Sequence, residues 1–125
     1  MNNIAYFEIQ ASNPGELMKF YSSIFGWNFI KEEYVPIEYY RIETIGISGG
    51  LLKRPVKTPP QEFGTNAFTC SIIVENFDAM AESIHANGGQ TALPKFAIPG
   101  RCWQGYFIDP DNNVFGIFQP DVNAK

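Results

Sequence analysis

The sequence has little of several residue types on which particular functions depend. It contains one histidine and two cysteines in 125 residues, and two cysteines are too few for a disulfide scaffold. Nine lysines and arginines against thirteen aspartates and glutamates give a net charge of −4. This balance argues against nucleic-acid binding, because phosphate contacts need a clustered basic surface.

Long apolar runs are also missing. The longest runs are a handful of residues, far short of the roughly 20 residues that span a bilayer. Residues 1–20 lack the basic segment, apolar run and cleavage site of a signal peptide. We therefore expect a cytoplasmic protein with no membrane partner.

The residues that are present are sufficient for an ordinary core. Hydrophobic residues make up 45% of the chain and aromatic residues 15%. Folding at this length hides roughly two-thirds of the surface that the unfolded chain exposes. We predict one α+β domain covering residues 1–125.

The N-terminal half alternates between strand and helix patterns. Residues 4–11 alternate with the period of a strand, with Tyr6, Glu8 and Gln10 on the polar face. Asn13 is placed to cap a helix, and Gly26 is placed to end it. The apolar stripe of this helix consists of Leu17, Phe20, Tyr21 and Ile24. Three further strands are predicted after the helix, at residues 27–29, 39–44 and 47–52.

The same order returns in the C-terminal half, after a proline-rich linker at residues 53–65. A strand over 67–74 would present Thr69, Ser71 and Ile73 on one face and bury Cys70 on the other. Setting Tyr6 against Thr69 aligns the two halves, so we predict a duplication with repeat 1 at about 1–55 and repeat 2 at about 65–122. The remaining elements are a helix from Asn76 to 87–89 and strands at 90–93, 103–108 and 114–118.

Duplication has a physical consequence for the sheets. Each unit buries one sheet face under its own helix and leaves the other face bare, so two units can curl into an open cup. The bare faces carry the mixed polar and aromatic groups expected of a small-molecule site. A merely solvent-exposed face would show the same alternation, so the pattern locates the face without establishing a pocket.

Four segments in order and spacing resemble the vicinal oxygen chelate superfamily. This superfamily includes glyoxalase I, extradiol dioxygenases, fosfomycin-resistance proteins and bleomycin-binding proteins. The resemblance implies two βαβββ repeats whose sheets curl into an open cup. It rests on Tyr6-Phe7-Glu8-Ile9, on the segment Phe20–Trp27, on Gly49-Gly50-Leu51-Leu52, and above all on Gly105–Gly116 with its Asp109-Pro110-Asp111 turn.

The resemblance also implies positions for a divalent metal, whose ligands in this superfamily are mostly His and Glu on the first and last strand of each repeat. Those positions fall on Tyr6, Gly50, Thr69 and Gly116, none of which is a good ligand. The single histidine, His85, lies in the second helix, where it is expected to interact with the carbonyl groups of the last turn. We therefore expect no metal and no other cofactor.

Other residues on the predicted cup face have chemistry of their own. Glu8 could serve as a base in an aromatic-lined cavity, or it could pair with Arg41, Arg101 or a backbone N–H group and simply close the sheet. Tyr6 could donate a hydrogen bond to a ligand, aromatic rings could stack on a flat ligand, and Arg101 could attract an anion. The predicted cavity residues are Tyr6, Glu8, Gln10, Thr69, Ser71, Arg101, Trp103 and Phe118.

These residues favour a metal-free protein that binds a small molecule. The alternative is an enzyme of the glyoxalase/lyase or dioxygenase type that uses Glu8 and Tyr6 or atypical metal ligands. A structural or interaction subunit is a third class. Because many relatives pair, we expect a homodimer.

Overall fold

The computed structural model describes residues 2–55, 57 and 68–125. The chain divides into two compact units, Met1–Thr58 and Pro59–Lys125, called here the N-terminal and C-terminal units. Residues 56 and 58–65 of the predicted linker lie outside the described residues. Within the described part of the chain, no helix is long and apolar enough to cross a membrane.

The N-terminal unit is one four-stranded sheet with one helix. Its strand order is β1-β4-β3-β2, with β1 parallel to β4 and the other pairs antiparallel. This order of elements is the one predicted from the sequence. The elements are β1 (Phe7–Ala11), α1 (Pro14–Phe25), β2 (Asn28–Lys31), β3 (Tyr39–Glu43) and β4 (Gly49–Lys53).

The C-terminal unit repeats this topology. Its strand order is β5-β8-β7-β6, again with one parallel pair, β5 with β8, and two antiparallel pairs. The duplication predicted from the sequence is therefore confirmed in the topology of the two sheets. The elements are β5 (Ser71–Ile73), α2 (Phe77–Ala86), β6 (Gln90–Ile98), β7 (Cys102–Ile108) and β8 (Val114–Pro120).

Both helices begin at the predicted caps. The side chain of Asn13 accepts a hydrogen bond from the main-chain N–H of Glu16, and that of Asn76 accepts one from Ala79. Each bond satisfies a donor that a helix N-terminus otherwise leaves unpaired. Gly26 ends α1 with φ of 69°, a conformation that glycine adopts without steric cost.

Each sheet is buried on the face that its own helix covers. In the N-terminal unit, Leu17 of α1 and the strand residues Ile42 and Leu51 are at most 1% exposed. In the C-terminal unit, Ile84 of α2 and Ile117 of β8 are fully buried. The opposite face of each sheet is called here the open face, and it carries the candidate functional residues.

Two strands differ from their predicted extents. β6 was expected to end at Leu93, before Pro94, but it continues to Ile98. It is an edge strand with register irregularities between Thr91 and Leu93 and between Leu93 and Phe96, and an edge or a bulge is where a sheet tolerates proline. By contrast, β5 is shorter than predicted, because it begins only at Ser71.

The late start of β5 changes the environment of one cysteine. Cys70 was expected to be a buried residue of that strand, and this prediction is wrong because Cys70 precedes β5 and is exposed. Its main-chain oxygen still accepts a hydrogen bond from Gly116 at 2.8 Å. The contact holds the main chain at the start of β5 without covering the thiol.

Candidate functional site

A chain of hydrogen bonds crosses the open face of the N-terminal unit. The Tyr39 hydroxyl donates to Glu8 Oε2 at 2.7 Å, and the Tyr6 and Tyr39 hydroxyl oxygens are 2.8 Å apart. Tyr6 and Glu8 come from the predicted polar face at the start of the chain, and Tyr39 comes from β3. The structure thus brings two predicted site residues together through a third that the sequence analysis placed only in a strand.

The direction of this chain is fixed by its protons. A phenol has one O–H donor, and that of Tyr39 is used toward Glu8, so Tyr6 must donate to Tyr39. Burial, together with the hydrogen bonds to Tyr6 and Glu8, raises the pKa of Tyr39 well above its usual value. Tyr39 therefore stays protonated and remains a donor to the carboxylate across the neutral pH range.

Gly50 makes room for the Tyr39 ring. In the register of β1 and β4, Gly50 lies directly beside Glu8. A Cβ atom at Gly50 would lie 2.0 Å from the Tyr39 hydroxyl oxygen and 2.3 Å from the ring carbon that bears it. Glycine inside a strand often marks a close approach of this kind. The space that a side chain at Gly50 would need is occupied by Tyr39.

The C-terminal unit contains a second arrangement of the same kind. Gln104, which is 7% exposed, donates from Nε2 to Ser71 Oγ at 3.2 Å. A Cβ atom at Gly116 would lie 2.4 Å from Ser71 Oγ and 2.8 Å from Gln104 Nε2. Here too, a polar side chain of the neighbouring strand occupies the space beside a strand glycine.

Strand register shows that the two arrangements are equivalent. In each unit, a first-strand residue pairs with a glycine of the last strand. A residue of the third strand pairs with the last-strand residue two positions after that glycine. Its side chain extends back to contact the first-strand residue. The equivalent residues are Glu8 and Ser71, Gly50 and Gly116, and Tyr39 and Gln104.

Arg41 does not neutralise Glu8, although the sequence analysis considered this pairing. Its guanidinium nitrogens lie 3.5 Å from Glu32 Oε2 and 3.6 Å from Glu43 Oε2. Within residues 2–55, 57 and 68–125, no ion pair includes Glu8. The hydrogen bond from Tyr39 is the contact that holds its carboxylate.

The other predicted cavity residues divide between the faces and loops of their units. Gln10 lies on the open face of β1, and Phe118 lies beside Gln104 on the open face of β8. Thr69 precedes β5 and is exposed, and Arg101 is exposed in the turn between β6 and β7. The structure therefore keeps Gln10 and Phe118 with the open-face sets and leaves Thr69 and Arg101 at their margins.

Trp103 lies on the face of β7 opposite to Gln104, because successive strand residues point to opposite faces. Its indole nitrogen donates to Asp121 Oδ2 at 3.0 Å, and the Lys95 ammonium lies 4.7 Å from its ring centroid. The same lysine lies 5.5 Å from the ring of Phe77 in α2. Trp103 thus belongs to the helix-bearing face and does not join the open-face set.

The single histidine is engaged beside α2. His85 Nε2 is hydrogen bonded to the hydroxyl of Thr91 at 2.8 Å, and its ring centroid lies 5.9 Å from that of Phe107. The carbonyl of Ser83 in the last turn accepts instead from the Asn87 side chain at 2.8 Å. His85 lies in the last turn of α2, as the sequence predicted, and its ring is in addition hydrogen bonded to a side chain of β6.

The residues at the superfamily's metal positions do not fit a metal. Gly50 and Gly116 offer no side-chain donor, and neighbouring side chains already fill the space in which one would stand. Tyr6 donates its proton to Tyr39, and Thr69 is exposed outside β5. In the described ranges, no three or more His, Cys, Asp or Glu side chains are grouped to hold a metal ion.

Two polar residues of this site were missed by sequence reasoning: Tyr39 and Gln104. A signal for each was present in the sequence, because Gly50 and Gly116 interrupt apolar strands and such glycines indicate a close approach. The sequence does not say which side chain makes that approach. Both Tyr39 and Gln104 lie on strands whose pairing only the folded chain defines.

The two sheets of equal topology place the protein among α+β proteins built from a duplicated unit. Comparison with known protein families identifies which one. The model of the Glyoxalase/Bleomycin resistance protein/Dioxygenase superfamily matches residues 3–117. The chain belongs to this superfamily, as the resemblance in the sequence implied.

Solved structures share the fold. A glyoxalase/bleomycin resistance protein/dioxygenase family enzyme from Burkholderia phytofirmans is 18% identical, with a TM-score of 0.73, over 95% of this chain and 99% of its own. The fosfomycin resistance protein FosX from Listeria monocytogenes is 14% identical, with a TM-score of 0.77, over 98% of this chain and 94% of its own. A variant of that protein was solved with Mn(II) and 1S,2S-dihydroxypropylphosphonic acid.

A curated relative is longer than this chain. The Mycobacterium bovis protein CFP32, described as a candidate glyoxylase, is 25% identical over 114 residues, which is 90% of this chain. The chain spans 43% of the length of that relative. The match therefore concerns less than half of the mycobacterial protein.

Proposed function

We propose that this protein binds a small organic molecule without a metal ion. The observation that carries the proposal is the filling of both glycine positions, Gly50 by Tyr39 and Gly116 by Ser71 and Gln104. A metal-dependent relative would need donor side chains at these positions. Here the polar groups are tied into hydrogen bonds within each sheet, and they offer a ligand fixed acceptors and aromatic surface.

The proposal is tested first by metal binding. We expect the purified protein to contain no stoichiometric divalent metal by elemental analysis, and we expect titration with Mn(II) to give no heat of binding. The Listeria fosfomycin resistance protein, a variant of which has been solved with Mn(II), is the positive control. A stoichiometric metal that is lost on chelation, together with metal-dependent turnover, would overturn the proposal.

The second test concerns the ligand. Native mass spectrometry of the gently purified protein should reveal a co-purified small molecule that denaturation releases. A protein that carries no small molecule and binds none in a fragment screen would refute binding and favour a structural or interaction subunit. The 1S,2S-dihydroxypropylphosphonic acid bound by the Listeria variant is one probe for that screen.

An enzyme of the glyoxalase/lyase or dioxygenase type is the second candidate, and one observation favours it. Glu8 and Tyr6 are joined through Tyr39 within 2.8 Å at each step, and a carboxylate in a hydrogen-bonded chain can accept a proton from a substrate. The assays are turnover of the hemithioacetal of methylglyoxal and glutathione and oxidation of catechol. Activity that is lost in Glu8→Gln would establish this candidate in place of simple binding.

The proposal also includes a homodimer and a cytoplasmic location. The C-terminal unit leaves Ile73 of its edge strand 64% exposed, and an exposed apolar edge is a surface that a second copy can cover. Light scattering at micromolar concentration should give the mass of two chains. A monomer mass would contradict the homodimer, and membrane or secreted fractions carrying the protein would contradict the location.

A further inference from the structure

The polarity of the hydrogen-bond chain determines which ligand groups the N-terminal unit can satisfy. Tyr6 donates to Tyr39, and Tyr39 donates to Glu8, so both phenol protons are already used. The atoms left for a ligand are the lone pairs of the Tyr6 hydroxyl and the carboxylate oxygens of Glu8, which are acceptors only. Tyr6 is 46% exposed and Glu8 is exposed, so a ligand can reach both.

The charges around this chain favour a cation. Glu8, Glu32 and Glu43 place three carboxylates on or beside the open face, and Arg41 places one guanidinium there. Arg41 is shared between Glu32 and Glu43, which leaves the charge of Glu8 uncompensated by an ion pair in the part of the chain that the structure describes. Opposite charge at this position would be attracted, and an anion would be repelled.

We propose that Tyr6, Tyr39 and Glu8 form a recognition site for a protonated amine on the ligand. This inference rests on the proposed metal-free binding function and names the ligand class of the same open face. An ammonium group supplies three donors and no acceptor, which matches the acceptor atoms that Tyr6 and Glu8 present. A carboxylate or phosphonate would find no donor on this chain of residues and would meet the Glu8 charge.

Tyr39 is a positioning residue in this site. Its hydroxyl holds Glu8 Oε2 at 2.7 Å and orients the Tyr6 hydroxyl, which lies 2.8 Å away. Gly50 permits this position because it has no Cβ. Glu8 and Tyr6 contact the ammonium, and Tyr39 fixes the distance between them.

The test compares three probes that share a benzene ring: benzylammonium, benzyl alcohol and benzoate. They are titrated into the full-length, ¹⁵N-labelled chain, and the amide shifts of residues 7–10 and 39–41 are followed. Benzylammonium should bind about tenfold more tightly than benzyl alcohol, as expected for a hydrogen bond to a charged group. Benzoate should bind most weakly.

Variants assign the preference to the proposed residues. Glu8→Gln keeps the shape of the side chain and should weaken benzylammonium about tenfold. Tyr6→Phe removes one acceptor and should weaken it by about threefold to tenfold. Glu16→Gln is the matched control, because it makes the same change in net charge at an exposed position of α1, on the other face of the sheet, and it should change the affinity by less than about twofold.

Three results would overturn the inference: tighter binding of benzoate than of benzylammonium, an unchanged affinity in Glu8→Gln, or no amide shift with benzylammonium. Equal losses in Glu8→Gln and Glu16→Gln would also overturn it, because they would reflect net charge alone. Each of these results would still be compatible with the proposed metal-free binding function if another small molecule co-purifies. Stoichiometric Mn(II) with turnover would instead refute the proposed function itself.

Discussion

Replacing Gly50 with alanine tests whether Tyr39 occupies the position of a missing side chain. The new Cβ would lie 2.0 Å from the Tyr39 hydroxyl oxygen, whereas ordinary contact begins at 3.4 Å. The hydroxyl must therefore retreat by about 1.4 Å, the difference between these two distances. A displacement of this size breaks its 2.7 Å hydrogen bond to Glu8.

The change in the free energy of unfolding follows from two destabilising effects and one effect that offsets them. Loss of a hydrogen bond to a charged group costs about 1.5–3 kcal/mol, and forced repacking adds about 1–3 kcal/mol. Alanine in a strand recovers about 0.5–1 kcal/mol relative to glycine. Because this site is partly exposed, the lower ends apply, and we expect Gly50→Ala to lower the free energy of unfolding by about 2 kcal/mol.

A double-mutant cycle assigns that loss to Tyr39. Urea unfolding followed by circular dichroism is measured for Gly50→Ala, Tyr39→Ala and the double variant. In the Tyr39→Ala background the Cβ has room, so Gly50→Ala should cost less than about 1 kcal/mol, with a coupling energy of about 1–2 kcal/mol.

Gly46→Ala is the matched glycine control. The nearest atom to a Cβ at Gly46 is Thr44 Oγ1 at 4.0 Å, so this variant should be neutral or slightly stabilised. Equal effects of Gly46→Ala and Gly50→Ala, or equal costs of Gly50→Ala in both backgrounds, would refute the reasoning.

Three further predictions follow from the same contacts. Tyr39→Phe should lower stability by about 1–2 kcal/mol near neutral pH. Folding raises the pKa of Tyr39 above its usual 10.0, so this contribution to stability is fully present below pH 10 and is lost as the pH rises further. The free energies of unfolding of the wild type and Tyr39→Phe should therefore converge in urea titrations at alkaline pH, and a constant difference between them would contradict this. Gly116→Ala should destabilise because its Cβ meets Ser71 Oγ at 2.4 Å, and Ser71→Ala in the same chain should recover part of the loss, whereas additive losses would be unexpected. Asp109→Ala should lower the free energy of unfolding by about 2–4 kcal/mol, because Asp109 is 3% exposed and its carboxylate accepts hydrogen bonds from Asp111 N, Asn113 N and Asn113 Nδ2. Equal melting temperatures for Asp109→Ala and Asp109→Asn would argue against this role of the carboxylate in stability.

Local chemistry explains which parts of the fold were predictable. The caps at Asn13 and Asn76 and the glycine end of α1 depend on a few neighbouring residues, so their positions were predicted correctly. The course of β6 beyond Pro94 depends on its place at a sheet edge. Sequence neighbours do not reveal that place, and the predicted strand therefore ended too early.

The candidate site divides in the same way. Alternation in the first strand placed Tyr6 and Glu8 on one face correctly, because side-chain direction in a strand has a period of two. The hydrogen bond that joins them through Tyr39 spans 31 residues of sequence to Glu8. Trp103 was assigned to the open-face set without a defined strand register, and the register of β7 places it on the opposite face.

The sequence by itself determined the duplicated order of strands and helices, the polar face of the first strand and the lack of ligand side chains at Gly50 and Gly116. These properties depend on residue type and on short-range periodicity. Only the tertiary structure decided that Tyr39 occupies the space at Gly50, that Ser71 and Gln104 occupy the space at Gly116, and that Tyr6 donates to Tyr39 while Tyr39 donates to Glu8. The physical reason is that these contacts form between strands that are distant in sequence, and their geometry is set by sheet register, which no local pattern encodes.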